Sequence, residues 1–187
     1  SLQLENSRVV AETEKLRSAL LSSVSHDLRS PLAAMIGSAM QRLKHYQPEV
    51  KIEVALAEEL PQLYVHPALI EQAIFNVLEN AAKFSPENVP IELKIQQEQQ
   101  FLQIDIIDQG IGIPEDEREQ IFDMFYTMQR GDRGKTGIGL GLAIVKAIIG
   151  AHMGSIEAFG GTDGRAGSGN RRAETPGGFL PGCAVRL

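Results

Sequence analysis

Four clusters of side chains in this 187-residue sequence have the types and spacing to do chemistry. The first is Ser25-His26-Asp27-Leu28-Arg29-Ser30-Pro31-Leu32. An imidazole titrating near pH ~6.5 is largely neutral and nucleophilic at pH 7. The adjacent carboxylate of Asp27 can hold one ring nitrogen and leave the other as the attacking atom. A surface helical histidine is the plainer account of His26 taken alone. In the second cluster Asn76, Asn80 and Lys83 are spaced i, i+4, i+7 and share one helix face. Two amide oxygens and an ammonium there suit Mg²⁺ and phosphate oxygens, although the same face also describes a merely solvated one. The third is Asp108-Gln109-Gly110-Ile111-Gly112-Ile113-Pro114. Its acidic residue at a strand end can present a carboxylate to a ligand amine. The two glycines let backbone approach a planar ring, as they would also in a plain turn. The fourth, Gly131 to Leu142, is a glycine-rich loop entering a helix, with Arg130, Arg133 and Lys135 at its start. Such a loop aims backbone N–H groups and the positive helix end at an anion. It lacks P-loop spacing and a preceding strand, and it lies too late in the chain for a dinucleotide fingerprint.

Positioning these clusters takes a definite set of elements. Apolar residues recur in steps of three and four from Leu2 to Ile36, the seam of one long helix over residues 1–40 that Pro31 interrupts. Such a stripe wants a partner helix. Lys51–Leu56 alternates as a half-buried strand, and Leu63–Val65 reads as a short one. An amphipathic helix follows from His66-Pro67 to about Phe84, closed by Ser85-Pro86-Glu87-Asn88. Ile91–Ile95 and Leu102–Asp108 alternate as a hairpin pair. Later come a short helix near 115–122, a helix near 138–152, a strand at 155–159 and a closing strand at 184–187. Residues 160–181, rich in Gly and Pro, read as a long loop. The expected division is 1–45 and 46–187, and the fold class is α+β.

Composition removes several classes of function. The 18 Lys+Arg stand against 24 Asp+Glu, a net charge of -6, and Trp is absent among few aromatics. That disfavours nucleic acid as a partner, by charge and by stacking surface. The single Cys183 excludes an intrachain disulfide and a cysteine-rich zinc site. No apolar run reaches the roughly 18–20 residues that cross a bilayer, and no signal peptide opens the chain.

Taken together and in this order, the four clusters resemble the catalytic core of two-component sensor histidine kinases. His26 to Leu32 is similar to their H box, Asn76 to Lys83 to the N box, and Asp108 to Ile113 to the G1 box. Ile121 to Tyr126 is similar to the F box and Gly137 to Leu142 to the G2 box. The wording from Leu20 to Leu32 is most like that of the KdpD-type, potassium-responsive sensor kinases.

The resemblance implies a dimerisation and phosphoacceptor helix joined to a Bergerat-type (GHKL) α/β sandwich with a mixed sheet. It implies ATP and Mg²⁺ as cofactors, a homodimer through the first helix, and a response-regulator aspartate as phosphoryl recipient. It also implies a cytoplasmic domain of a membrane-anchored bacterial sensor kinase, attached only through a sensor region absent here. By position, His26 would accept the γ-phosphoryl group with Asp27 as its general base. Asn80 would hold Mg²⁺, with Asn76 and Lys83 near the phosphates. Asp108 would bind the adenine amino group, while Gly110 and Gly112 shape that pocket. Gly137, Gly139, Gly141 and Leu142 would form the lid hinge over the phosphates, with Phe122 and Phe125 packing the lid base. Related ATPases carry a water-activating glutamate on this helix, where this chain has Asn76; Glu79 is one residue off that face.

Two departures stand out. Kinases of this family place a second antiparallel helix between the H and N boxes. Such a helix with its connections would need on the order of 40–60 more residues than this chain has there. Met40-Gln41-Arg42-Leu43 therefore reads as a junction across missing sequence. Four residues after the histidine, where the family's phosphatase motif has Thr or Asn, this chain has Ser30.

Overall fold

The structure, a computed structural model, describes residues 29–30, 32–61, 63–127, 137–160 and 182–186. In chain order the elements are β1 (Arg29–Ser30), α1 (Leu32–Tyr46), β2 (Ile52–Leu56), β3 (Leu63–Tyr64) and α2 (Pro67–Phe84). They continue with β4 (Ile91–Glu98), β5 (Phe101–Ile107), two 3₁₀ turns (Glu115–Glu117 and Gln120–Phe122), α3 (Gly141–Ala151), β6 (Ser155–Phe159) and β7 (Gly182–Arg186). The expected loop lies outside the described residues apart from Gly160.

Alternation along the strands builds the sheet. Ile91, Leu93 and Ile95 of β4 and Leu102, Ile104 and Ile106 of β5 are buried on one face. Glu92, Lys94 and Gln96 take the other, where a Lys94–Glu92 ion pair of 2.9 Å contributes little. The five strands run in the order β2-β4-β5-β7-β6. β2 pairs parallel with β4, and the remaining pairs are antiparallel, so the sheet is mixed as expected.

The helices cover the apolar face. α2 buries Ile70, Ala73, Ile74, Val77, Leu78 and Ala81. Pro67 at its first turn sacrifices no needed N–H, and Pro86 prevents continuation past the Ser85 cap, whose N–H donates to the Ala81 carbonyl at 2.9 Å. α3 packs Val145, Ile148 and Ile149 into the same core. The His152 ring ties the two helices. Its Nε2 accepts the His66 N–H at 3.0 Å, so Nδ1 carries the proton and donates to the Ile148 carbonyl at 2.7 Å.

The expectation of one helix through residue 40 is corrected here. Arg29 and Ser30 are extended and pair antiparallel with Tyr64 and Leu63. The helix begins afresh at Leu32 and continues to Tyr46, straight through the 40–43 junction. The cause is Pro31, which has no N–H to give and biases Ser30 away from helical geometry. The stripe Leu32, Met35, Ile36, Ala39 and Leu43 is buried in one cluster with α2 and the sheet. Residues 32–43 thus contribute to this core. Residues 1–28, including His26 and Asp27, lie outside the described residues.

Leu43 is 1% exposed. Leu43→Ala should therefore cost about 2–5 kcal/mol in urea unfolding, the range for a large-to-small change in a packed core. A cost below about 0.5 kcal/mol, the surface range, would remove α1 from that core.

Candidate functional site

α2 turns its apolar stripe to the sheet, so Gln72, Asn76, Asn80 and Lys83 fall on the opposite side. Two glycine loops close on that side. The first follows β5. A Cβ on Gly110 would stand 2.6 Å from the Phe84 carbonyl oxygen and 2.7 Å from Asp108 Oδ1, so this loop rests directly on the end of α2. Gly112 has φ 79°, a left-handed conformation that glycine adopts at little cost.

Asp108 lies between β5 and this loop, half-buried, and its Oδ1 accepts the Gly110 N–H at 2.7 Å. Burial pushes its carboxyl above the ordinary value of 3.8, and the N–H groups of Gly110 and of Asp108 itself pull it back only in part. A desolvated carboxylate gains strongly from any donor that a ligand brings.

The second loop enters α3. Lys83 Nζ lies 3.3 Å from where a Cβ on Gly137 would sit, and Asn80 Nδ2 lies 3.8 Å from that position on Gly141. The loop therefore crosses over Lys83 and Asn80. Gly139 has φ 75°, and a Cβ there would stand 2.7 Å from the Tyr126 carbonyl oxygen. Its own carbonyl accepts the Phe125 N–H at 2.9 Å. No side chain caps the start of α3 at Leu140, so its first N–H groups are donors suited to an anion. Leu142 packs against the core, partly buried.

Asn76 is 8% exposed, and both ends of its amide are engaged. Its Oδ1 accepts from Gln72 Nε2 at 2.7 Å, and its Nδ2 donates to the Gly141 carbonyl at 3.3 Å. Of the two amide oxygens expected to suit a cation, the one on Asn76 is thus held by Gln72, which leaves Asn80. Among the described residues, no group of three His, Cys, Asp or Glu side chains could hold a metal. A divalent ion here would rest on Asn80 and on oxygens that the ligand supplies.

Phe122 packs inward at 6% exposure, but Phe125 is 67% exposed with φ 63°. Of the two residues expected to pack inward, Phe122 does so and Phe125 does not, since its N–H is drawn to the Gly139 carbonyl; residues 128–136 of the expected lid lie outside the described residues. Tyr126 anchors this turn, donating its hydroxyl to Glu117 at 2.8 Å. Gln72 and Arg42, which donates to Gln72 Oε1 at 2.8 Å, are not among the residues singled out from the sequence. Gln72 carried a signal, since it continues the i, i+4 row of Asn76 and Asn80; Arg42 carried none. Arg130, Arg133 and Lys135 lie outside the described residues.

Residues 65–179 match the family of histidine kinase-, DNA gyrase B-, and HSP90-like ATPases. The sensor protein KdpD of Clostridium acetobutylicum is 33% identical over 230 residues, covering 89% of this chain and 26% of that protein. That alignment is longer than the 187-residue chain, so at least 43 of its positions face no residue here. The adaptive-response sensory kinase SasA of Gloeothece citriformis is 40% identical over 111 residues, 59% of this chain and 28% of that protein. The chain spans about a quarter of the length of these curated relatives. Among solved structures, the mycobacterial sensor histidine kinase MprB matches with a TM-score of 0.63 at 27% identity, over 83% of this chain and 91% of that one.

A raised Asp108 pKa favours folding only below the ordinary value of 3.8, and that advantage is lost as pH rises through the raised value. Ionised Asp108 is therefore a net cost to the ligand-free protein at pH 7. Asp108→Asn should raise the thermal midpoint at pH 7 and make no difference below about pH 3.8, checked by unfolding scans across that range.

Proposed function

Because the chain belongs to the histidine kinase-, DNA gyrase B-, and HSP90-like ATPases, we propose that it is a sensor kinase core that uses Mg·ATP to phosphorylate His26. The phosphoryl group then passes to an aspartate of a response regulator. Supporting this reading is the end of α2, on which both glycine loops rest: Gly110, beside Asp108, against the Phe84 carbonyl, and Gly137 and Gly141 against Lys83 and Asn80. Asp108 accepts the adenine amino group. Gly110 and Gly112 leave room for the ring. Lys83 and the uncapped start of α3, behind Gly137, Gly139 and Gly141, neutralise phosphate charge. Asn80 would offer an amide oxygen to Mg²⁺, which would supply charge neutralisation at the phosphates.

In the transfer step an imidazole nitrogen of His26 attacks the γ-phosphorus, and the bond to the ADP oxygen breaks. Asp27 takes the imidazole proton. Such chemistry is mostly positioning and charge neutralisation. Transfer is favoured over hydrolysis because Asn76, buried and neutral, cannot act as a base towards water. Glu79 is exposed. The relatives that support this reading are named sensor kinases.

We further read the homodimer through the first helix and the bacterial, membrane-anchored setting as properties of the longer protein. Among the described residues, no helix is long and apolar enough to cross a membrane. The 230-residue alignment, longer than this chain, supports a relative with additional residues inside the matched region, and we assign them to the second antiparallel helix expected between the H and N boxes.

Intact mass before and after Mg·ATP tests the kinase. One acid-labile phosphoryl group should be gained, and His26→Gln should abolish the gain while leaving ATP affinity unchanged. Sustained ADP release with no phosphohistidine would instead place the chain with the ATPases. Separately, Asp108→Asn should weaken ATP by roughly 1.5–3 kcal/mol, the worth of a hydrogen bond to a charged group. With Asp108 intact, affinity should fall on acidification at a higher pH than an ordinary carboxylate would dictate. Titration calorimetry at stepped pH reads both.

A further inference from the structure

A line of hydrogen bonds crosses the molecule from α1 to the start of α3. Arg42 Nη1 donates to Gln72 Oε1 at 2.8 Å, Gln72 Nε2 to Asn76 Oδ1 at 2.7 Å, and Asn76 Nδ2 to the Gly141 carbonyl at 3.3 Å. The Arg42 guanidinium also lies 3.9 Å from the centre of the Phe75 ring, which holds it in place.

The two ends fix the sense of the whole line. A guanidinium only donates and a backbone carbonyl only accepts. Gln72 must therefore turn its oxygen to Arg42 and its nitrogen to Asn76. Asn76 in turn must present its oxygen to Gln72 and its nitrogen to Gly141. Reversing the Asn76 amide would set its oxygen against the Gly141 carbonyl, two acceptors with no proton between them. Burial of Asn76 leaves water little access to repair that.

We propose that Arg42 and Gln72 are positioning residues for the phosphate end of the nucleotide, an inference that rests on the ATP-binding reading above. By fixing the Asn76 amide they hold the first residue of α3, and with it the uncapped N–H groups, at a set distance from Asn80 and Lys83. Docking of α1 thereby becomes a determinant of phosphate affinity.

The test compares adenosine with ADP by titration calorimetry on the whole chain, because only ADP reaches the phosphate end. Gln72→Glu keeps the Arg42 partner but offers Asn76 an acceptor, so the Asn76 amide inverts. ADP affinity should fall about three- to tenfold, the worth of one net hydrogen bond, with adenosine affinity unchanged. Arg42→Met should produce a loss of the same kind, and Arg42→Lys, which still donates, should restore most of it. Wild-type ADP affinity in Gln72→Glu would overturn the proposal. So would a parallel loss of adenosine and ADP, which marks damage to the fold. If the wild-type chain binds neither ligand, the ATP-binding reading itself falls and takes this inference with it.

Discussion

Ile70, Ile74 and Leu78 of α2 are buried in one cluster with Leu93, Ile104 and Ile106 of the sheet. That burial fixes the rotation of α2 about its own axis. With 3.6 residues per turn, Gln72, Asn76, Asn80 and Lys83 then have only one side on which to lie. Everything else in the site is built onto that side. The loop after β5 rests on the last turn of α2 through Gly110, and the loop before α3 crosses Lys83 and Asn80 through Gly137 and Gly141. The same apolar contacts that stabilise the core thus set the bearing of the polar row.

The site is also where the fold departs from local comfort. Asp108 keeps a carboxylate out of water, and Phe125 occupies a left-handed conformation unusual for an aromatic residue. Each departure is held by neighbours: Gly110 donates to Asp108, and Gly139 and Phe125 share a backbone hydrogen bond. Costs held in place this way suit a position where a ligand supplies a partner. A donor arriving at Asp108 or an anion at the start of α3 would offset these costs.

Local pattern made much of this legible from sequence. The 3.6-residue stripe of α2 and the alternation of β4 and β5 are decided within each element, and the observed spans follow them closely. The shared face of Asn76, Asn80 and Lys83 follows from the same periodicity. What an apolar stripe does not state is its partner. Leu32 and Ile36 continue the spacing of the residues before Pro31, yet they pack on α2. The direction of the Asn76 amide was equally out of reach, because Arg42 and Gly141, distant in sequence, decide it. Phe122 and Phe125 look alike in the sequence, and the backbone hydrogen bond of Phe125 to Gly139, distant in sequence, separates them.

α1 measures length as well as filling space. Leu32, Met35, Ile36, Ala39 and Leu43 hold one helical phase along α1. One residue added or removed between Ala39 and Leu43 would turn everything beyond it by about 100°. Arg42 or Lys44 would then occupy the position of Leu43 in the core, and the cation would leave the Phe75 ring. Changes of four or seven residues would keep the phase within about 40°. The buried row thus works as a ruler, and this stretch of chain can be edited only in whole steps of its own helix.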